Sequence, residues 1–356
     1  MEKTRLEFLK RYMDTICPTG FEEEAARVWR AEAESFADRT WVDQMGNAFA
    51  VVNEGGSPRV MLAGHADEIG LQIVHVDEKG FIYFRGLGGW DVQVLPGQRV
   101  QIKTASGVLP GVIGRKAVHR MTPEDRKKVV KMEDLWIDIG AKDRDEVFAQ
   151  GIQIGDPAVV NYGYQELLNG YVVARAFDDR IGAFIVLEAA RMLSEMNPNA
   201  AVYAVATTQE EIGVRGATTS AFGIDPDVGI AVDVSNVSDT PDTGSGKKQF
   251  GEGELGKGPI VVRGPNINTK LFEHLMATAK GNDIPVQVNA YPRPTGTDAR
   301  AIQVTRSGVP TALIGVPNRY MHSPNEVVHL EDVTHCIELI AHGVGAITSE
   351  TSFIPE

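Results

Sequence analysis

The sequence predicts an α/β protein: an α/β/α sandwich with a mixed central sheet, assembled from both ends of the chain and interrupted by a small all-β, barrel-like domain. Three observations lead there. At 356 residues the chain exceeds a single typical core, so one large domain plus a second module is expected. Strand and helix patterns alternate at both ends, as they do where helices cover a sheet. Between about residues 70 and 165 the alternation gives way to short strand-like pieces, LQIVHV, FIYFRGL, RVQIK, GVLPGVIG and LWIDIG, separated by Gly, Pro and charged turns. The expected division is residues 1–69 and 166–356 for the sandwich and 70–165 for the insertion.

Taken in order, Leu6, Leu9, Met13 and Ile16 recur at helical spacing. Thr19-x-x-Glu22, at the head of TGFEEEAARVWRAEAESF, reads as a capping box opening a second helix. WVDQMGNAFAVV and RVMLAG read as strands, the second buried enough to be central. After the insertion, YVVARAF reads as a strand and a helix is expected to begin near Ile181. The alternation continues through AVYAVATT, DVGIAVD, PIVV, KLFEHLMATAK, IPVQVNA and TALIGV to a closing helix, VTHCIELIAHGVGA.

Composition removes several function classes. Lys and Arg total 35 against 48 Asp and Glu, a net charge of -13 that argues against nucleic acid or an anionic membrane as partner. Cys17 and Cys336 are too few for a disulfide framework or a thiolate metal site. MEKTRLEFLKRYM lacks the apolar segment of a signal peptide, and no run approaches a membrane span. A cytoplasmic enzyme is expected.

Five segments carry potential metal ligands at similar addresses. His65 and Asp67 follow RVMLAG, Glu210 and Glu211 follow AVYAVATT, and Asp233 ends DVGIAVD. His322 follows TALIGVPNRYM, and Asp178 and Asp179 sit between YVVARAF and the next helix. Ligands gather at the carboxyl ends of strands in open α/β sheets, so these residues can converge on one crevice. Imidazoles and carboxylates without thiolates suit a pair of Zn, Co or Mn ions better than Ca. Two ions sharing a carboxylate activate one water, and an adjacent acid that is not a ligand can take its proton. Each motif also has a plain structural reading. An HxD or a Glu pair can be a polar strand end, DD a helix cap, and His322 a turn residue. The joint pattern is what points to a site, and His75, His119, His274, His329, His335 and His342 lack such company.

GHADEIG, AFDDRIG, TTQEEIGVRGA, DVSNVSDTP, GTDA and MHSPNEV, in this order and with a β insertion after the first, resemble the glutamyl and tetrahedral aminopeptidase family of dinuclear metallopeptidases. The resemblance runs from TICPTGFE to the last helix. It implies that His65 and Asp233 hold one metal, that Glu211 and His322 hold the second, and that Asp178 bridges them. Asp67 is implied to orient His65, Glu210 to serve as general base and acid, and Asp179 to follow Asp178 through a cis peptide bond. The family also implies that the β insertion mediates dimer contacts and that dimers build a hollow twelve-subunit tetrahedron. Two positions depart from the usual pattern: DVSNVSDTP stands where Thr-His often follows the ligand strand, and Phe177 stands where Leu is common. Neither touches an implied ligand, so any consequence falls on the pocket.

The activity this implies is removal of N-terminal residues from short peptides, with a hydroxide bridging the two metals and Glu210 as its base. Alternatives of the same metal chemistry are an N-acyl amino acid deacylase or a carboxypeptidase, each needing a positive group for a substrate carboxylate. A glucanase is a third reading, but it leaves both histidines unexplained and calls for separated acids rather than adjacent ones. A non-catalytic assembly or binding protein is the fourth, and it has no use for the full ligand set.

Overall fold

The computed structural model describes residues 1–241, 247–248 and 251–356. Helices α1 (Lys3–Met13) and α2 (Glu23–Ala33) lead into strands β1 (Arg39–Val42), β2 (Ala48–Val52) and β3 (Arg59–His65). The insertion supplies β4 (Gly70–Val76), β5 (Ile82–Leu87), β6 (Arg99–Thr104), β7 (Gly107–Gly114), β8 (Trp136–Asp138), a short helix α3 (Arg144–Ala149) and β9 (Pro157–Val160). Then come β10 (Gln165–Glu166), β11 (Tyr171–Ala174), α4 (Phe177–Met196), β12 (Ala201–Thr207), α5 (Arg215–Ile224) and β13 (Val228–Asn236). The chain closes with β14 (Ile260–Arg263), α6 (Thr269–Gly281), β15 (Gln287–Ala290), α7 (Ala299–Gln303), β16 (Thr311–Asn318), β17 (Glu326–His329) and α8 (Leu330–Gly345).

The central sheet is mixed, in the order β1-β2-β12-β3-β13-β16-β14-β15. Its middle four strands, β12, β3, β13 and β16, are mutually parallel, and antiparallel pairs flank them on both sides. The parallel block explains the sequence of its strands, because helices bury both faces and the strands read as continuous apolar runs. β16 is buried at every residue, and β3 at every residue but Arg59. Helix α4 lies across β3, β12 and β13 with α8, α6, α1 and α2 in the same layer, while α5 and α7 cover the opposite face. α4 approaches β3 closely. A Cβ on Gly64 would overlap the Gly182 and Ala183 backbone, so β3 and α4 meet through two glycines. Trp29 Nε1 then donates to the Ala183 carbonyl at 2.8 Å, fixing α2 onto the same helix.

The insertion closes as a six-stranded barrel, β4-β5-β8-β7-β6-β9, around a core of its own that includes Leu71, Ile73, Phe84, Ile113 and Ile137. A second small sheet, β10-β11-β17, is antiparallel. β17 was not among the expected strands; EVVH is short and follows a turn, so it has little period to read.

One local expectation fails. No side-chain cap bond opens α2, whose N-cap is Glu22 itself. Glu22 accepts instead from Gly20 N at 2.6 Å and from Gln209 N at 3.1 Å, so its carboxylate is committed to a distant loop. The expected start of α4 near Ile181 holds for its regular helical geometry: the span opens at Phe177, but Asp178 and Asp179 are non-helical, and Asp179 caps the continuous helix by accepting from Gly182 N.

Candidate metal centre

The parallel block delivers the candidate residues to one edge. His65 ends β3, and Thr207, its register partner, ends β12, so Glu210 and Glu211 emerge beside it. Asp233 lies on β13, the neighbour of β3. β16 pairs with β13 through Asp233 and Gly315 and ends at Asn318, four residues before His322. Asp178 enters from the first turn of α4. Four strand ends and one helix start therefore surround one point, the crevice expected at the carboxyl edge of such a sheet.

The side chains form two triads that share a member. His65, Asp178 and Asp233 each present a ligand atom within 4.8 Å of one another, and so do Asp178, Glu211 and His322. His65 Nε2 stands 3.1 Å from Asp178 Oδ1, and His322 Nε2 stands 3.2 Å from Asp178 Oδ2. Asp178 thus turns one oxygen to each imidazole. Glu210 lines the same cavity but belongs to neither triad.

Buried acids behind the triads hold them in place. Asp67 sets its main-chain oxygen 3.1 Å and its carboxylate 3.4 Å from His65 Nδ1, leaving Nε2 for the centre. The same carboxylate accepts from the backbone N–H groups of Glu210 and Glu211, each at 3.1 Å. Asp179, joined to Asp178 by a cis peptide bond, accepts from His65 N and Gly182 N, both at 3.1 Å. It is both a helix cap and a clamp on β3. Glu326 accepts from Asp178 N at 2.7 Å and His322 N at 3.0 Å, tying the shared carboxylate to the second imidazole. Asp298 accepts from Thr207 Oγ1 at 2.6 Å. The sequence singles out neither Glu326 nor Asp298, and Glu22 only as a helix cap, although MHSPNEV, GTDA and TICPTGFE contain them.

The electrostatics show a site short of positive charge. Burial pushes Asp233 and Asp179 well above the usual carboxylate range, against the pull of His65. Burial also raises Glu211, against His322, and pushes Asp298 up to about 6. Glu210 is pushed up to about 9 by burial, with Asp233, Asp298 and Asp67 adding to it against His65. Asp178 is the exception: burial works against it, but hydrogen bonds from His322 and His65 hold it low. His322 is pushed up to about 11 by the carboxylates of Asp178 and Glu211 beside it. Glu211 Oε1 is buried without a hydrogen-bond partner among the described residues, His322 Nε2 lying 3.5 Å away. Crowded acids, two imidazoles with Nε2 turned inward and an orphaned carboxylate oxygen are a donor set that fits two divalent cations.

The cavity over the triads measures about 830 Å³. Its walls include Tyr291, Leu313 and Met321, and also Arg293 and Arg300. The barrel reaches it too. Gly89 lines the cavity, and a Cβ on Gly88 would lie 3.0 Å from Glu211 Oε2. Among the described residues, no helix is long and apolar enough to cross a membrane.

Comparison with known proteins finds similar chains along nearly the whole length. Residues 46–339 match the family described as M42 glutamyl aminopeptidase. The chain is 37% identical over 335 residues to a lysyl aminopeptidase of Pyrococcus furiosus, with 94% of each chain covered. It superposes with a TM-score of 0.92 on a TET aminopeptidase from a marine sediment archaeon of the Thaumarchaeota, at 34% identity and with 98% and 97% of the two chains covered. It also matches the TET1 peptidase of Pyrococcus horikoshii, described as able to assemble into a tetrahedron or a large octahedral shell, with a TM-score of 0.86, 31% identity, and 96% and 100% covered.

Proposed function

The chain belongs to the M42 family of glutamyl aminopeptidases, and from that premise we propose that it is a two-metal aminopeptidase releasing N-terminal residues from short peptides. The observation that carries the reading is the pair of triads meeting at Asp178 with a further acid, Glu210, in the same cavity and in neither triad. His65 and Asp233 would hold one divalent ion, Glu211 and His322 the other, and Asp178 both. Zn, Co and Mn all suit this donor set. When bound, such ions polarise a carbonyl and make water acidic enough to react near neutral pH.

The remaining work falls to the chain. Positive charge beside Glu210 would bring its carboxyl down from about 9, turning it into a base that takes a proton from the attacking water and hands it to the leaving amine. Asp67 keeps His65 oriented through Nδ1 and sets the backbone of both glutamates. The acidic floor attracts a cationic α-amine, so peptides with a free N-terminus are favoured. Self-association goes with this reading. We place the contact between two copies on the barrel, residues 70–165, and dimers in a tetrahedral dodecamer. A cytoplasmic location fits two free, buried cysteines.

The test is a panel of aminoacyl chromogenic substrates, assayed after metal removal and readdition of Zn, Co or Mn, beside N-acetylated counterparts. Metal-restored hydrolysis of the free-amine substrates alone is expected. Equal cleavage of the acetylated set would favour the deacylase reading, and activity that survives strong chelation would sink the two-metal one.

A further inference from the structure

We propose that Glu22, from the segment ahead of α2, is a positioning residue for Glu210: by gripping the N–H of Gln209 it fixes the turn that aims Glu210 into the cavity. The inference rests on the reading of Glu210 as the base and extends it to a residue outside both triads.

The hydrogen bonds of the turn carry it. Four successive N–H groups, from Thr208 to Glu211, are each accepted by a side chain from a distant part of the chain. Thr208 N donates to Asn47 Oδ1 at 3.0 Å, Gln209 N to Glu22 Oε1 at 3.1 Å, and Glu210 N and Glu211 N to the two oxygens of Asp67, each at 3.1 Å. Asn47, Glu22 and Asp67 are all buried. Gln209 is the residue whose left-handed φ of 54° turns the chain, a conformation that a residue with a Cβ holds only where its surroundings impose it. Glu22 grips that residue, one position before the proposed base. Glu211 has a second anchor in its triad, whereas Glu210 belongs to neither triad and depends on the turn for its aim.

Glu22 is itself firmly seated. Its Oε1 also accepts from Gly20 N at 2.6 Å. Glu68 N donates to the Cys17 carbonyl at 3.2 Å, and Thr19 N donates to the Glu68 carbonyl at 2.9 Å. The segment bearing Glu22 is thereby bound to the loop bearing Asp67, so the two acids that hold the turn share one support. The side chain does not cap α2. A cap needs only a short side chain such as Ser or Asp, and the greater reach of glutamate is what brings Oε1 to Gln209, 187 positions away in the chain.

Both bonds fall on Oε1, so an amide oxygen can replace it. With metal-loaded enzyme and an aminoacyl chromogenic substrate, Glu22→Ala is expected to lower kcat by about tenfold, with KM within about twofold and metal content unchanged. Glu22→Gln should recover most of that loss. Glu22→Asp keeps an acid suited to the start of a helix but draws it back by one methylene; it should lose kcat too, and it stands in for the alanine variant if that one fails to fold. The decisive arm is the cycle with Glu210→Gln. If Glu22 acts through Glu210, removing it from a chain whose base is already gone should change kcat by no more than about twofold. The same tenfold loss in both backgrounds, a metal loss that tracks the fall in kcat, or parental kcat in Glu22→Ala and Glu22→Asp would overturn the proposal. If the metal-loaded parent hydrolyses no free-amine substrate, the aminopeptidase reading fails while the grip on the turn remains measurable. Deuterium exchange in a fragment spanning residues 207–214 should then be about tenfold faster in Glu22→Ala than in the parent or Glu22→Gln, with α8 unchanged. Equal exchange would overturn the proposal on its own.

Discussion

At the residue scale, two glutamates of identical chemistry sit side by side in different surroundings, Glu211 in a triad and Glu210 in the same cavity outside both. Gln209 takes a left-handed φ of 54°, and Asp67 grips the N–H groups of both following residues, so the turn is held in a shape that sends Glu211 into a triad and leaves Glu210 free. Left-handed φ values recur around the centre, at Ala176, Tyr320 and His322, each costing on the order of 1 kcal/mol for a residue with a Cβ. Strain gathered at one edge of the sheet is consistent with a geometry that function requires. Glu210→Gln should keep close to two metals per chain and lose roughly a hundredfold or more in kcat. Glu211→Gln should lose metal from one site and regain part of its activity in excess metal. Metal content measured beside the kinetics separates the variants, and equal metal loss in both would end the division of roles. The imidazoles give a pH prediction. His322 stands at about 11 in the metal-free protein, above the unfolded value of about 6.5. Its contribution to metal-free stability is thus full below about pH 6.5 and is lost as pH rises towards 11. Metal must displace that proton, so metal affinity climbs over the same range. The rise in melting temperature on adding Zn to chelator-treated protein should be larger at pH 8 than at pH 6, and the reverse order would contradict this ligand assignment.

At the element scale, the site depends on how closely α4 lies on β3, because Asp178 and Asp179 on one hold against His65 on the other. Gly64→Ala would push a methyl into the Gly182 and Ala183 backbone, an overpacking that costs about 3 kcal/mol. The melting temperature should drop by about 5 °C or more, with metal binding weakened as well. Gly55→Ala, with nothing within 4 Å of the new methyl, is the control expected to change little; equal effects would mean the contact is not tight. This contact also marks where the sequence stops being legible. The strands β3, β12, β13 and β16 read as apolar runs, and each carried its acid or imidazole at the end that a parallel block makes common. The triads were therefore accessible from spacing and motif. Glu326 and Asp298 act on residues more than ninety positions away in the chain, which no local period reports. Glu22 reads as a cap because its local pattern is that of a cap. Burial and a bond to Gln209 drew it elsewhere, and burial with the neighbouring Asp67 pushes its carboxyl up to about 7.

At the scale of the whole molecule, the barrel has two faces to account for. One reaches the catalytic cavity through Gly88 and Gly89, so removing the barrel would open the site as well as any contact between copies. A milder change is the better probe of assembly. Strands β4 and β7 expose Val74, Val108 and Val112, at 43%, 49% and 47%, and the connection between β7 and β8 exposes Val118 and Val129. Apolar groups exposed on one module of a chain with a net charge of -13 are what a covered surface would present. Val108→Asp combined with Val112→Asp leaves the cavity lining intact and puts two like charges on each side of a symmetric contact, where they repel their own copies. Light scattering should find the parent protein as a large assembly and the variant as a smaller species that still hydrolyses a chromogenic aminoacyl substrate. The two should part on larger substrates. If the cavities face the inside of a shell, the parent spares folded proteins because they cannot enter, and the dissociated variant admits any chain with an accessible N-terminus. Unchanged mass in the variant would move the interface off β7, and a monomeric parent would remove the shell as the source of selectivity.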